Sequence, residues 1–228
     1  MSSSKHHLFR EQTIGMKKRD RTRSAILDSA ISIFASKGYE AARISDITTH
    51  AELANGTFYN YYQTKDELLR DVTAGLVVEI ASRINDEMEN LTHGPTRVTF
   101  ATARLLQVAR REPEWLRVYF EGVFIVPELQ SAAVQYLKQD LEMGVEQGHF
   151  SIDVNLMLIN QVLSLVQVAL LLDLDMTNET ITQTCEAILR LLGLTPQKAT
   201  KQVSSVFKRH FSDDDPPAST ASDRQRNT

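Results

Sequence analysis

A chain of 228 residues with 42% apolar side chains has the material for a sizeable core, which excludes wholesale disorder. A single cysteine, Cys185, excludes an internal disulfide framework, and with no cleavable leader the composition fits a cytoplasmic protein. The net charge of −4 hides a local reversal, because residues 1–65 hold ten Lys or Arg against six Asp or Glu, so a basic head precedes an acidic body.

Residues 1–16 are rich in Ser and His and lack periodicity, which predicts an unstructured leader. Lys17, Lys18 and Arg19, followed by Arg21 and Arg23, form a basic arm suited to phosphates. From about Asp20 the residues Ile26, Leu27, Ala30, Ile31 and Phe34 share one helical face, and Gly38 ends the pattern. A short helix is predicted from about Ile44 or Ser45 to Ala51 and another from Ala54 or Asn55 to Tyr62, with only Glu52-Leu53-Ala54 between them. That spacing is the one a helix-turn-helix needs to present its second helix to the major groove. Asn55-Gly56 also suits a hairpin, but its flanks are helical in pattern.

Four aromatics within Phe58-Tyr59-Asn60-Tyr61-Tyr62 cannot all point inward on a helix of about 3.6 residues per turn. Phe58 and Tyr62, four apart, are assigned to the core. Asn55, Gly56, Thr57, Tyr59, Asn60 and Tyr61 are left for the groove: an amide for a base edge, a glycine for close approach, hydroxyls for phosphates. Lys65 joins the arm as an expected phosphate contact.

Thr64-Lys65-Asp66-Glu67 reads as a capping box opening a long helix to about Leu91, which Thr92-His93-Gly94-Pro95 breaks. Further helices are predicted near 96–110, 113–122 and 128–147. Residues 154–173 are apolar on nearly every side. A membrane span there would strand the amides of Asn155, Asn160, Gln161 and Gln167 in hydrocarbon, so a second copy of the chain is the simpler cover. Leu156, Ile159, Leu163, Val166 and Leu170, with Ile181, Cys185 and Ile188 of a helix near 179–192, are the expected dimer interface. A last helix runs from Thr195-Pro196 to about Phe211, and residues 212–228 read as a disordered tail.

The run from Arg43 through Leu68, with its Gly56-Thr57-Phe58-Tyr59 core, Tyr62 and Lys65-Asp66-Glu67-Leu68, is similar to the DNA-binding segment of the TetR family, and Ala25-Ile26-Leu27, Ala30, Phe34 and Gly38-Tyr39 agree with it. The likeness covers about residues 17–70. It implies an all-α fold in which a three-helix helix-turn-helix domain (17–64) precedes a larger helical ligand-binding and dimerisation domain (65–211). It also implies a homodimeric repressor, released from a double-stranded DNA operator by a small apolar or amphipathic effector and needing no cofactor. Met88, Phe100, Trp115, Tyr119, Phe120, Phe124 and Met143 are the side chains expected to line the effector pocket that the likeness implies.

Three positions depart from the family pattern. Glu52 stands where glycine is usual, and a left-handed backbone is open to it at a cost of about 1 kcal/mol. Ala54 replaces a capping serine, worth about 1 kcal/mol, and still falls at the groove. Arg43 replaces threonine and offers one more phosphate contact. Two other readings stay open: a binding module that has lost DNA, and a helical enzyme. The second lacks any catalytic or metal-binding motif, since the histidines are scattered at 6, 7, 50, 93, 149 and 210.

Overall fold

The computed structural model describes residues 8–11, 15, 17–125, 127–172 and 176–211, and the described residues form helices and no strand. In chain order these are α1 (Leu8–Glu11), α2 (Lys18–Lys37), α3 (Ile44–His50), α4 (Asn55–Phe58), α5 (Lys65–Glu87), α6 (Gly94–Arg111), α7 (Pro113–Ile125), α8 (Pro127–Glu146), α9 (Leu156–Leu172), α10 (Asn178–Leu191) and α11 (Pro196–His210). They divide between two compact units, one of Met1–Arg83 with Glu112–Gln135, the other of Ile84–Arg111 with Tyr136–Thr228.

This division differs from the expected boundary after residue 64. In the first unit α7 packs on α2, and Arg117 Nη1 donates to the Ala35 carbonyl at 2.7 Å, so the head carries more than its three reading helices. The leader expectation needs a correction at residues 8–11. Leu8 is buried, the Phe9 amide donates to Asp28 Oδ1 at 2.9 Å, and the Phe9 ring lies where a side chain on Gly75 would otherwise sit. Two adjacent apolar residues therefore anchor a helical turn that periodicity could not reveal. Apart from Gly15, the rest of 1–16 lies outside the described residues, as does the tail 212–228.

The second unit is built on the apolar stripes of α6, α9, α10 and α11. Thr177 and Thr195 cap α10 and α11 by accepting from the amides of Thr180 and Lys198, and Pro196 begins α11 where no amide hydrogen is needed. α5 stops at Glu87, short of the expected Leu91. Arg97 Nη1 takes the carbonyls of Met88 (3.0 Å) and Leu91 (3.1 Å) while its Nε pairs with Asp140 at 2.5 Å, so the residues after Glu87 turn to serve this side chain.

Burial also corrects the expected interface. Ile159 and Val166 of α9 and Ile181, Cys185 and Ile188 of α10 are all within their own unit's core. An amphipathic helix turns its apolar stripe to the nearest core, which removes these five from any surface offered to a second chain. Leu163 and Leu170 are half-buried. The apolar side chains that α9 leaves at the surface are Leu156, Met157, Val168, Leu171 and Leu172. No described helix is long and apolar enough to cross a membrane.

Candidate nucleic-acid interface

The reading head is assembled around Ile26, Phe34, Ile47 and Phe58, each fully buried, with the Tyr39 ring edge-on to Phe34 at 5.5 Å. The turn after α3 is tight because Ala51 N bonds to the Ile47 carbonyl at 2.9 Å and Leu53 N reaches back to Thr48 at 2.8 Å. Glu52 between them has φ 58°, the left-handed backbone expected where glycine is missing. At the start of α3 a guanidinium has no acceptor to give, so Asp46 caps instead, its Oδ2 accepting from the Arg43 amide at 3.1 Å. Lys37 pairs with the other carboxylate oxygen at 2.9 Å and, with the Arg43 amide, holds the Asp46 carboxyl below its ordinary value. The Arg43 side chain stays at the surface.

α4 is a single turn, shorter than the helix expected to reach Tyr62. Residues 59–61 form a turn, with the Tyr61 and Tyr62 amides both bonded to the Phe58 carbonyl at 2.9 and 3.0 Å. Phe58 and Tyr62 face inward as expected. Ala54, Asn55, Gly56 and Asn60 are exposed, Tyr59 is 52% exposed, and Thr57 and Tyr61 are half-buried. Ala54 provides no side-chain cap, and the Thr48 hydroxyl instead bonds to Asn55 Oδ1, tying the first residue of α4 to α3. Lys17, Lys18 and Arg19 are exposed at the start of α2.

Two basic residues act differently from the expectation. Lys65 gives its ammonium to the carbonyls of Tyr39 (2.6 Å), Glu40 (3.2 Å) and Ala42 (3.0 Å) and lies 4.3 Å from the Tyr39 ring centroid. Its three donors are occupied, so it positions the segment between α2 and α3 rather than standing ready for a phosphate. Arg23 of the basic arm bonds to both oxygens of Asp71 (2.6 and 2.5 Å), and the Tyr62 hydroxyl donates to the same carboxylate at 2.5 Å. Burial, reinforced by Asp71, raises the Tyr62 phenol, which therefore remains a donor. This trio fixes the last inward residue of the reading segment against α5, and its members are too far apart in sequence to give any motif. Substituting Lys65 by Met is expected to destabilise the head by about 1 kcal/mol by removing the donor shared by the part-buried carbonyls of Tyr39 and Ala42 and the exposed carbonyl of Glu40. Thermal melting checks this: unchanged stability with weakened DNA binding would restore the phosphate role.

The sequence pattern described as "Bacterial regulatory proteins, tetR family" matches residues 26–72, from the buried face of α2 into α5. Residues 26–72 form a TetR-family DNA-binding domain. The transcriptional regulator LuxR of Vibrio harveyi is 24% identical over 111 residues, 46% of this chain and 54% of that protein, so the chain spans about half the length of that curated relative. RolR solved with resorcinol is 23% identical, with TM-score 0.64 over 82% of this chain and 95% of that one. FadR of Bacillus subtilis, solved with stearoyl-CoA, is 15% identical, with TM-score 0.63 over 74% of this chain and 97% of the other. At these identities the two structures establish the shared all-α fold. The relatives are regulators, not enzymes.

The expected pocket residues are divided between the two units. Trp115 and Tyr119 of α7 are buried in the first, where burial pushes the Tyr119 phenol up to about 12. Met88 and Phe100 are buried in the second, and Met143 is half-buried there. The side chains of Phe120 and Phe124 lie outside the described residues. Phe100 does not line open space: it stacks on Phe211 at 5.0 Å, meets His210 edge-on at 5.7 Å and lies under the Arg104 guanidinium.

Proposed function

We propose that the chain is a DNA-binding transcriptional regulator that acts as a homodimer, a repressor released from its operator by a small apolar or amphipathic ligand. One observation carries the reading: Asn55, Gly56, Tyr59 and Asn60 are exposed at the tip of a helix-turn-helix whose inward face is locked by Phe58 and Tyr62. Asn55 offers an amide to a base edge, Gly56 lets the backbone approach, Tyr59 and Tyr61 reach phosphates, and Thr57 and Asn60 complete the contact surface. The exposed Lys17, Lys18, Arg19 and Arg43 add salt-sensitive attraction.

A second copy is the occupant that best suits the apolar surface of α9, since five large apolar side chains on one element are costly to leave in water. Ligands in the related folds, resorcinol in RolR and stearoyl-CoA in FadR, support an apolar or amphipathic effector. Selecting operator fragments with the purified chain, with and without such ligands, tests the reading. The Tyr59→Ala variant is expected to bind the selected DNA about 10-fold more weakly with stability lowered by no more than about 1.5 kcal/mol, because half of this side chain is in solvent and the variant removes its edge-on contact with Phe58. Failure to select any sequence would favour a module that has lost DNA.

A further inference from the structure

The second unit contains a recess of about 360 Å³ whose chemistry differs from the rest of the acidic chain. Its ionisable lining groups are His93, His149, Lys198 and Lys201, and among the described residues no carboxylate lines it. Lys198, Lys201, Gln202 and Ser205 fall at i, i+3, i+4 and i+7 of α11, which places all four on one stripe of that helix, and all four line the recess. Neither lysine has an ion-pair partner among the described residues.

The facing wall is built rather than incidental. Gln147 fastens the segment around residue 93 to the end of α8, accepting from the Gly94 amide at 2.9 Å and donating to the Thr92 carbonyl at 2.6 Å. Gly148 takes φ 70°, and the His149 amide returns to the Gly144 carbonyl at 2.9 Å, which brings the two imidazoles to a centroid distance of 4.4 Å. The Thr96 amide donates to His93 Nδ1 at 3.3 Å. Gln202 Nε2 donates to Thr96 Oγ1 at 3.0 Å, and that hydroxyl oxygen lies 2.8 Å from the same Nδ1. Nδ1 is therefore an acceptor, and the ring proton belongs on Nε2 as a hydrogen-bond donor. Burial, with His149 beside it, holds His93 below the ordinary imidazole range, in keeping with that neutral tautomer.

We infer that this recess binds a small phosphate-bearing anion, free phosphate or a phosphomonoester, between the paired imidazoles and the lysines of α11. Donors arrive from three separate segments, an arrangement that suits a tetrahedral oxyanion better than a planar carboxylate, and lysine meets phosphate as a mobile point charge. The volume exceeds that of a bare phosphate and leaves room for an organic remainder. A metal ion is a poorer occupant, because no group of three histidine, cysteine or carboxylate ligands occurs among the described residues. The site lies wholly within the second unit, apart from the residues that read DNA.

Calorimetric titration of the full chain with inorganic phosphate, glycerol 3-phosphate and acetate, at matched ionic strength, tests this, with the imidazole NMR signals of His93 and His149 as the local readout. Saturable binding of a phosphate probe with Kd of about 1 mM or tighter, shifting both imidazoles, is expected, and acetate should produce neither effect. The Lys198→Gln/Lys201→Gln variant, altered only at exposed positions, should bind about 10-fold more weakly or worse. Tighter binding of the ester assigns the site to a phosphorylated metabolite, and equal binding assigns it to free phosphate. Absence of saturation, acetate binding equally well, or undiminished affinity in the variant would each overturn the proposal.

Discussion

Aspartate at both Leu171 and Leu172 is expected to convert the chain to monomers and to weaken operator binding by about 10²–10⁴-fold, the gain normally obtained when a second tethered head binds. The two leucines are 70% and 80% exposed, so the single chain loses little when they become polar. In a two-fold interface each substitution occurs twice. Burial of one leucine is worth about 1.5–3 kcal/mol, and the variant must instead desolvate carboxylates. Sedimentation at micromolar concentration reads the result directly, and circular dichroism should show unchanged helix content. A stable dimer in this variant would remove α9 from the interface. The same change at Val166 could not serve, because that side chain is in the core and the variant would fail by unfolding.

The Arg97→Ala variant is expected to lose about 3–5 kcal/mol of unfolding free energy, since it leaves a buried carboxylate without its partner. Asp140 is buried, and desolvation holds its carboxyl above the ordinary value against the opposing pull of Arg97. Once the guanidinium is gone that upward shift grows. A carboxyl whose folded-state value is raised favours the folded state at low pH and disfavours it as pH rises past the unfolded value, so the deficit should shrink as the solution approaches about pH 4. Met88 and Leu91 lose a donor at the same time, which keeps the deficit from vanishing. Urea unfolding at two pH values measures both effects. A loss under about 1 kcal/mol at neutral pH would mean that the pair is solvated and carries little.

Features governed by local physics were legible before any coordinates. Gly38 ends α2 with φ 77°, Thr195-Pro196 begins α11, and Glu52 adopts the left-handed turn that its place between two short helices demands. Thr64 accepts from the Glu67 amide at 3.1 Å as the capping-box pattern requires, although the Glu67 carboxylate reaches the Gln63 amide, one residue earlier than the motif implies. Features set by long-range packing were not legible. α9 is apolar on nearly every side, so composition could not choose between the face bearing Val166 and the face bearing Leu171. The α10 stripe through Ile181, Cys185 and Ile188 carried a correct periodicity but not the identity of what covers it. Lys65 has the sign and place of a phosphate contact, and only the carbonyls of Tyr39, Glu40 and Ala42 show where its charge is used. His93 and His149 are far apart in sequence and give no motif, so their pairing emerges only from the turn at Gly148.

The brevity of α4 separates two requirements that usually compete. Only one turn of backbone ladder holds the reading segment, and its shape rests on two rings driven inward, Phe58 and Tyr62, and on the carboxylate that receives the Tyr62 hydroxyl. Asn60 stands exposed beside that packing, whereas Asn55 is tied to Thr48 and the Tyr59 ring meets Phe58 edge-on at 5.4 Å. On the proposed function, exchanging Asn60 alters what is recognised while the socket beneath it keeps its stability, so a new operator preference is open to such a head through a single substitution at little folding cost.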